Sequence, residues 1–136
     1  MYAAYPKIVA GWSLSVALVL CTGFDPVLME TRRLILEKAG HRVISATTER
    51  ELEKACTEHG CDVAVIGQTL SRNVKLRILL LLRDLCPSAA VLELHPQYAD
   101  RALENADGWL AMPTDSPREL ADAVNSLIRK PPSEHA

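Results

Sequence analysis

Residues 61–67 are the segment that most constrains the fold of this chain, because four apolar residues stand there between turn residues. Three of the four are β-branched, a pattern typical of a strand buried on both faces of a parallel sheet. In open α/β sheets, binding and chemistry gather beyond the carboxyl ends of such strands. The residue that ends this strand is Gly67, which has no side chain to contribute.

Strands and helices alternate along the rest of the chain. Apolar runs predict strands at residues 16–21, 41–46, 61–66, 89–94 and 108–112. N-capping residues and stop signals predict helices at residues 26–39, 49–60, 72–85, 99–105 and 117–130. The pattern predicts an α/β protein with a single doubly wound, five-stranded parallel sheet. We expect residues 16–130 to form the domain, residues 1–15 a loose arm and residues 131–136 a disordered tail.

Two of these helices have predicted faces. In the first, Leu28, Ile35 and Ala39 are expected to lie on one apolar face. In the third, the expected sheet-facing stripe consists of Val74, Ile78, Leu81, Leu82 and Leu85.

Charge and composition exclude several classes of protein. With 136 residues and a net charge of -2, the chain is one domain without the basic field that nucleic-acid binding needs. The apolar run before Cys21 is shorter than the roughly 20 residues that span a bilayer, and Leu20 is a poor residue for signal cleavage. We therefore expect a cytoplasmic protein that binds neither nucleic acid nor membrane.

The four cysteines form no CxxC pair. Cys56, His59 and Cys61 are close in sequence, but they straddle a helix end and no second ligand pair follows at zinc-site spacing. We expect reduced, mostly buried thiols, no metal and no cofactor.

Several local strings, in their order, resemble the receiver domain of bacterial two-component response regulators. They are Asp-Pro at 25–26, Ala-Gly-His-Arg-Val at 39–43, residues 61–66, Ala-Asp-Gly-Trp-Leu at 106–110 and Met-Pro at 112–113. The resemblance covers residues 16–130. It implies a flavodoxin-like fold with strand order 2-1-3-4-5 and a site above strands 1, 3, 4 and 5.

The resemblance also implies a set of site positions, and each holds a different residue here. A receiver carries an acidic pair for Mg²⁺ after strand 1, an acceptor aspartate ending strand 3, a hydroxyl residue ending strand 4 and a lysine ending strand 5. The matching positions are Gly23 and Phe24, Gly67, His95, and Met112. Asp25 remains, but the helix needs it as a cap. The cavity left by the missing carboxylates is expected to be filled by Phe24 or Met112.

We therefore interpret the chain as a stand-alone pseudo-receiver without enzyme activity. It is expected to act as a phosphorylation-independent protein–protein interaction module in bacterial signalling or regulation, through a protein partner or self-association. The alternative is a small-molecule-binding regulatory domain that uses the emptied pocket. Trp109 stands where receivers keep a switch aromatic.

The candidate partner surface is the outer side of the third helix. Leu76 and Leu80 lie one turn apart, away from the sheet-facing stripe and beside Arg72 and Arg83. The opposing interpretation is that scattered surface leucines have no function.

Two pairs of side chains are candidates for acid–base or nucleophilic chemistry. Glu93 and His95 point to one face of strand 4. They are either an acid–base or proton-sensing pair, or a surface histidine just past the strand and a carboxylate held by a backbone group or an arginine. Cys21 and His95 are expected to lie about 10 Å apart, too far to form a nucleophile–base dyad. We expect Cys21 to be a buried, inert thiol.

Overall fold

A computed structural model describes residues 16–128 of the chain, and these residues form five strands and four helices. The strands are β1 (Leu18–Thr22), β2 (Arg42–Ala46), β3 (Val63–Ile66), β4 (Ala90–Pro96) and β5 (Gly108–Met112). The helices are α1 (Pro26–Lys38), α2 (Glu49–Glu58), α3 (Arg72–Leu85) and α4 (Arg118–Ile128). The predicted arm at residues 1–15 and the predicted tail at residues 131–136 lie outside the described residues.

The five strands form one sheet in the order β2-β1-β3-β4-β5, with every neighbouring pair parallel. This order confirms the predicted doubly wound fold. Helices α2 and α3 cover one face of the sheet, and α1 and α4 cover the other. All four residues of β3 are buried, as expected for a central strand with helices on both sides.

The helix starts follow from local capping. The Asp25 carboxylate accepts hydrogen bonds from the backbone N–H groups of Val27 (3.0 Å) and Leu28 (3.3 Å), and Pro26 is the first residue of α1. The Thr48 hydroxyl caps α2 by accepting from the Glu51 N–H. Because these signals are local, the predicted starts of both helices are confirmed.

The predicted helix at residues 99–105 is wrong, because residues 97–107 form turns and not a helix. The Glu93 carboxylate accepts the backbone N–H groups of Ala102 (2.8 Å) and Leu103 (2.8 Å). The Leu103 carbonyl accepts the indole N–H of Trp109 at 2.7 Å. A helix this short has few internal hydrogen bonds to compete with these contacts.

Strand β4 is longer than predicted and includes His95. The predicted strand ends at residue 94, and one of the two interpretations of His95 puts it at the surface just past the strand, whereas it lies within β4 and is half-buried. Its Nδ1 atom is 3.0 Å from the Pro96 carbonyl oxygen and 3.1 Å from the Ala99 carbonyl oxygen. The ring is therefore used to hold the start of the β4–β5 connection.

The buried faces of α1 and α3 differ from the predicted ones, because each contains a charged residue. The buried residues are Met29, Arg32 and Leu36 in α1, and Lys75, Ile78, Leu79 and Leu82 in α3. In α1 the expected Leu28 and Ile35 are half-buried and Ala39 is exposed; in α3 Val74, Leu81 and Leu85 are half-buried. The half-buried residues of the α3 stripe still pack against the core, so the predicted direction of that face is confirmed. An amphipathic pattern assigns arginine and lysine to the solvent side, so it misses Arg32 and Lys75.

Glu93 and Lys75 form a fully buried ion pair between β4 and α3. Their side chains are 0% and 3% exposed, and Lys75 Nζ donates to Glu93 Oε2 and to the Leu94 carbonyl oxygen, each at 2.8 Å. Burial alone would raise the pKa of Glu93. The hydrogen bonds from Lys75, Ala102 and Leu103 outweigh burial and hold that pKa below its ordinary value.

Replacing Glu93 by glutamine is expected to lower the free energy of unfolding by about 3 kcal/mol, because the change leaves the Lys75 ammonium group buried without an anion. Urea denaturation measures the loss. The matched control is Glu53→Gln, since Glu53 is exposed on α2 and its change should cost less than about 0.5 kcal/mol. Equal losses in the two variants would contradict the structural role of Glu93.

The cost of Glu93→Gln should also depend on pH. A carboxyl group whose folded-state pKa is depressed stabilises the fold above its unfolded-state pKa, about 4.3 for glutamate. That stabilisation is lost as the pH falls through the lower folded-state pKa. The difference in the free energy of unfolding between the wild-type protein and Glu93→Gln is therefore expected to be largest at neutral pH and to decrease in acid.

Candidate functional site

The carboxyl ends of β1 and β3 bring two glycines together. Gly23 follows β1, Gly67 follows β3, and both are buried. A Cβ atom built on Gly67 would lie 3.7 Å from the Gly23 Cα atom and 2.9 Å from the Thr22 carbonyl oxygen. The absence of side chains therefore allows the two backbones to approach each other closely.

The Arg32 guanidinium group occupies the space beside these glycines. Its Nη1 atom is 3.0 Å from the Cβ position of Gly67 and 3.7 Å from that of Gly23. Met29 lies on the same side, with its Sδ atom 3.0 Å from the Cβ position of Gly23. We call Gly23, Arg32 and Gly67 the edge site, because they lie at the edge of the sheet where the carboxyl ends of the strands meet.

Arg32 is almost fully buried, with 4% of the residue exposed. Its Nη2 atom donates to Gln68 Oε1, and its Nε atom is buried without a hydrogen-bond partner among residues 16–128. Burial lowers the pKa of Arg32, and the nearby Cys21 and Asp25 partly oppose that shift. The edge site therefore holds a buried positive charge.

The remaining matched positions do not close over the edge site. Phe24 is 60% exposed, so it does not fill the space as expected. Met112 is half-buried and packs against the core between the sheet, α1 and α4. The polypeptide fills the space with Arg32 and Met29, because both lie on the buried face of α1.

Trp109 is held in place by two contacts. Its indole N–H donates to the Leu103 carbonyl oxygen at 2.7 Å, and the Arg101 guanidinium carbon lies 4.1 Å from the ring centroid. The side chain is half-buried against the core on the α2–α3 side. Both contacts come from the β4–β5 connection, so this connection sets the position of the ring.

Cys21 and His95 lie on opposite faces of the sheet. Cys21 packs against α1 and α4, whereas His95 shares the face of Glu93, whose carboxylate reaches α3. Burial raises the pKa of Cys21 to about 12, with the Arg32 charge acting in the opposite direction. The thiol is fully buried and protonated at neutral pH, so the two residues form no dyad. Glu93 and His95 bind different groups and form no pair with each other.

The cysteines near α2 are also protonated. Burial raises the pKa of Cys56 to about 12 and raises that of Cys61, and the neighbouring Cys86 thiol adds to both shifts. His59 is exposed at the end of α2. Within residues 16–128, no group of three or more histidine, cysteine, aspartate or glutamate residues is arranged to hold a metal ion.

The predicted partner surface on α3 is exposed at three of its four residues. Leu80 is 68% exposed, Leu76 is 37% exposed, and Arg72 is exposed. Arg83 is tied to the protein, because its guanidinium group donates to the Asn105 carbonyl oxygen at 2.8 Å and lies 3.3 Å from the Asp107 carboxylate. Arg83, three residues beyond Leu80 on α3, therefore contacts the β4–β5 connection.

Sequence reasoning did not identify Arg32. A signal was present, because Arg32 follows Met29 by three residues and precedes Leu36 by four, which is the spacing of one helix face. A single arginine on an apolar stripe at the carboxyl edge of the sheet indicates a buried charge.

Searches against known proteins match this architecture in solved structures alone. No protein-family model and no curated protein sequence matches the chain. A response regulator from Thermotoga maritima has a TM-score of 0.73 at 20% identity, over 85% of this chain and 99% of that one. The chemotaxis response regulator CheY4 of Vibrio cholerae has a TM-score of 0.70 at 18% identity, over 82% and 98%.

A third similar structure is the receiver domain of the Francisella response regulator 1452. It has a TM-score of 0.68 at 22% identity, over 83% of this chain and 97% of that domain. The chain therefore has the fold of response regulator receiver domains, as the sequence predicts. Sequence identities in this range establish the fold, whereas the activity has to be inferred from the residues of the site.

Replacing Gly67 by alanine is expected to lower the free energy of unfolding by about 1–3 kcal/mol, because the new Cβ atom would meet the Thr22 carbonyl oxygen at 2.9 Å. Gly23→Ala is the matched control. Its Cβ atom would first meet the flexible Met29 side chain, so its cost should stay below about 1 kcal/mol. Urea denaturation of both variants tests this difference, and a larger loss for Gly23→Ala would contradict it.

Proposed function

We propose that this protein is a pseudo-receiver that acts in bacterial two-component signalling or a related regulatory pathway by binding another protein, without phosphorylation of its own. The observation that carries the proposal is the buried Arg32 guanidinium group beside Gly67. Where the resemblance implies a carboxylate that accepts a phosphoryl group, the chain has a glycine and a positive charge.

The residues at the matching positions lack the groups that aspartyl phosphorylation requires. Acyl phosphate formation needs a carboxylate at position 67, and glycine has none. Mg²⁺ needs oxygen ligands, and at the matching positions Gly23 and Phe24 have no side-chain oxygen. The Asp25 carboxylate caps α1, and a cation placed near it would also be repelled by Arg32.

The β4–β5 connection supports a protein-contact role with a fixed surface. Glu93 anchors this connection from inside the protein, and Trp109 is held by the Leu103 carbonyl and the Arg101 guanidinium group. Moving Trp109 would require breaking its hydrogen bond to Leu103 and its cation–π contact with Arg101. Arg83 joins the same connection to α3, the helix that carries Leu76 and Leu80.

A second candidate function is small-molecule binding, and a cavity of about 310 Å³ favours it. The cavity opens beside Gly23 between α2 and α3, and Leu52, Leu70 and Ile78 give it an apolar wall. Its size is at the lower end for ligand pockets. Its lining includes Gly23 and Phe24, two of the emptied site positions, but not Gly67, and its apolar wall lies on the face of the sheet opposite Arg32.

The proposed loss of phosphorylation predicts that no covalent adduct forms. After incubation with acetyl phosphate and Mg²⁺, the intact mass of the protein is expected to stay unchanged. An active receiver treated in parallel controls for the phosphodonor. A stoichiometric increase of one phosphoryl group would contradict the proposal.

The proposed interface predicts that Leu80→Glu weakens association, because it places a charge on the apolar part of the surface. Sedimentation velocity measures self-association, and pull-down with the tagged protein from its native cells measures partner binding. The matched control is Leu34→Glu, since Leu34 is 55% exposed on α1, on the other face of the sheet.

At least a tenfold weakening by Leu80→Glu, with Leu34→Glu close to wild type, is the expected result, about 1.4 kcal/mol of binding free energy. Equal behaviour of the two variants would remove α3 as the interface. A thermal-shift screen with nucleotides and metabolites separates this function from ligand binding in the cavity.

A further inference from the structure

We propose that the edge site binds a small oxyanion, such as inorganic phosphate, through the guanidinium group of Arg32. This inference goes beyond the proposed interaction role, because contact with a protein partner requires no bound ion. It starts from a charge that the protein buries without neutralising it.

The guanidinium group lacks an anionic partner within residues 16–128. The described ion pairs involve other residues, and the single hydrogen bond of the group goes to the neutral amide of Gln68. Arginine remains charged in proteins, so the cation itself is buried. Removing a cation from water costs several kcal/mol unless an anion and hydrogen bonds compensate it.

Among residues 16–128, the buried Lys75 ammonium group shows how a buried cation is compensated. Lys75 is as deeply buried as Arg32, and it contacts the Glu93 carboxylate and the Leu94 carbonyl oxygen at 2.8 Å. Arg32 has a buried Nε atom with no partner instead. Buried polar groups are nearly always satisfied in folded proteins, so an orphaned donor on a charged group indicates an absent acceptor.

The neighbours of Arg32 favour an anion over a cation or an apolar ligand. Gly23 and Gly67 contribute no carboxylate, and the Asp25 side chain already accepts two backbone N–H groups. Gln68 is half-buried, and its amide group provides donors as well as the acceptor that Arg32 uses.

The geometry also limits the size of the ligand. Arg32 is 4% exposed and its Nε atom is buried, so only a small ligand has room at the guanidinium group. A guanidinium group offers pairs of parallel N–H groups that match the oxygens of phosphate or carboxylate. The ligand class is therefore a small, free oxyanion.

The test is thermal unfolding of the whole protein in increasing phosphate, with chloride keeping the ionic strength constant and no magnesium present. A ligand that binds the folded state raises the melting temperature, by on the order of 5 °C at ten times its Kd. Because phosphate also stabilises proteins by exclusion from their surface, variants must separate the two effects.

Three variants make this separation. Arg32→Met removes the charge but keeps a long side chain, and it should lose the saturable part of the response. Arg50→Met removes an exposed arginine, and this variant should keep the saturable rise of the melting temperature with phosphate. Gly23→Asp places a carboxylate beside Nη1, with only the flexible Met29 in its way, and should lose the response because the anion is then built in.

Isothermal titration of the wild-type protein with phosphate, and with acetate in parallel, measures binding directly and does not depend on how the variants fold. Saturable binding of either ion that Arg32→Met abolishes supports the proposal, and the stronger ion identifies the preferred oxyanion. Absence of saturable heat with both ions, or equal temperature shifts in Arg32→Met and Arg50→Met, would overturn it. Failure here would leave the proposed interaction role intact, because that role is tested without phosphate.

Discussion

The carboxylate of Glu93 holds three parts of this protein together from a position with no exposure to solvent. It binds the Lys75 ammonium group of α3 and the backbone N–H groups of Ala102 and Leu103, while its own backbone belongs to β4. Because each of these contacts satisfies a group that burial would otherwise penalise, the pair is stable only as a complete set. Removing this carboxylate would break the bonds from β4 to α3 and to the β4–β5 connection at once.

The same edge of the sheet contains a second buried cation that the protein leaves without an anion. Lys75 and Arg32 approach the carboxyl ends of the strands from opposite faces, one from α3 and the other from α1. Glu93 compensates the first charge completely. Arg32 has an amide oxygen as its partner and two glycines as neighbours. On the α3 side, the charge of Lys75 is therefore neutralised and the contacts are rigid. On the α1 side, the positive charge of Arg32 remains.

The sequence was sufficient for the parts of the fold that depend on local signals. Buried runs such as residues 63–66, and caps such as Asp25, act within a few residues, so the strands and the helix starts could be predicted from them. The strand order, and with it the meeting of Gly23 and Gly67, was predicted from the resemblance to receiver domains. The buried charges could not be predicted in the same way. Arg32 and Lys75 look like solvent-facing residues until a neighbouring strand or helix is placed against them, and the turns at residues 97–107 depend on a carboxylate that belongs to another element.

The exchange of a carboxylate for a guanidinium group changes which molecules the edge of the sheet attracts. Carboxylates at this place would hold a hard cation, which in turn would neutralise phosphoryl oxygens. A buried guanidinium group repels such a cation and attracts the anion directly, so on the proposed role an ion would bind without magnesium and without a covalent bond. Because Trp109 and the β4–β5 connection are fixed by Glu93 and not by the edge site, a bound anion would neutralise Arg32 without moving α3. Anion binding at the edge and partner binding on α3 are therefore expected to be energetically independent.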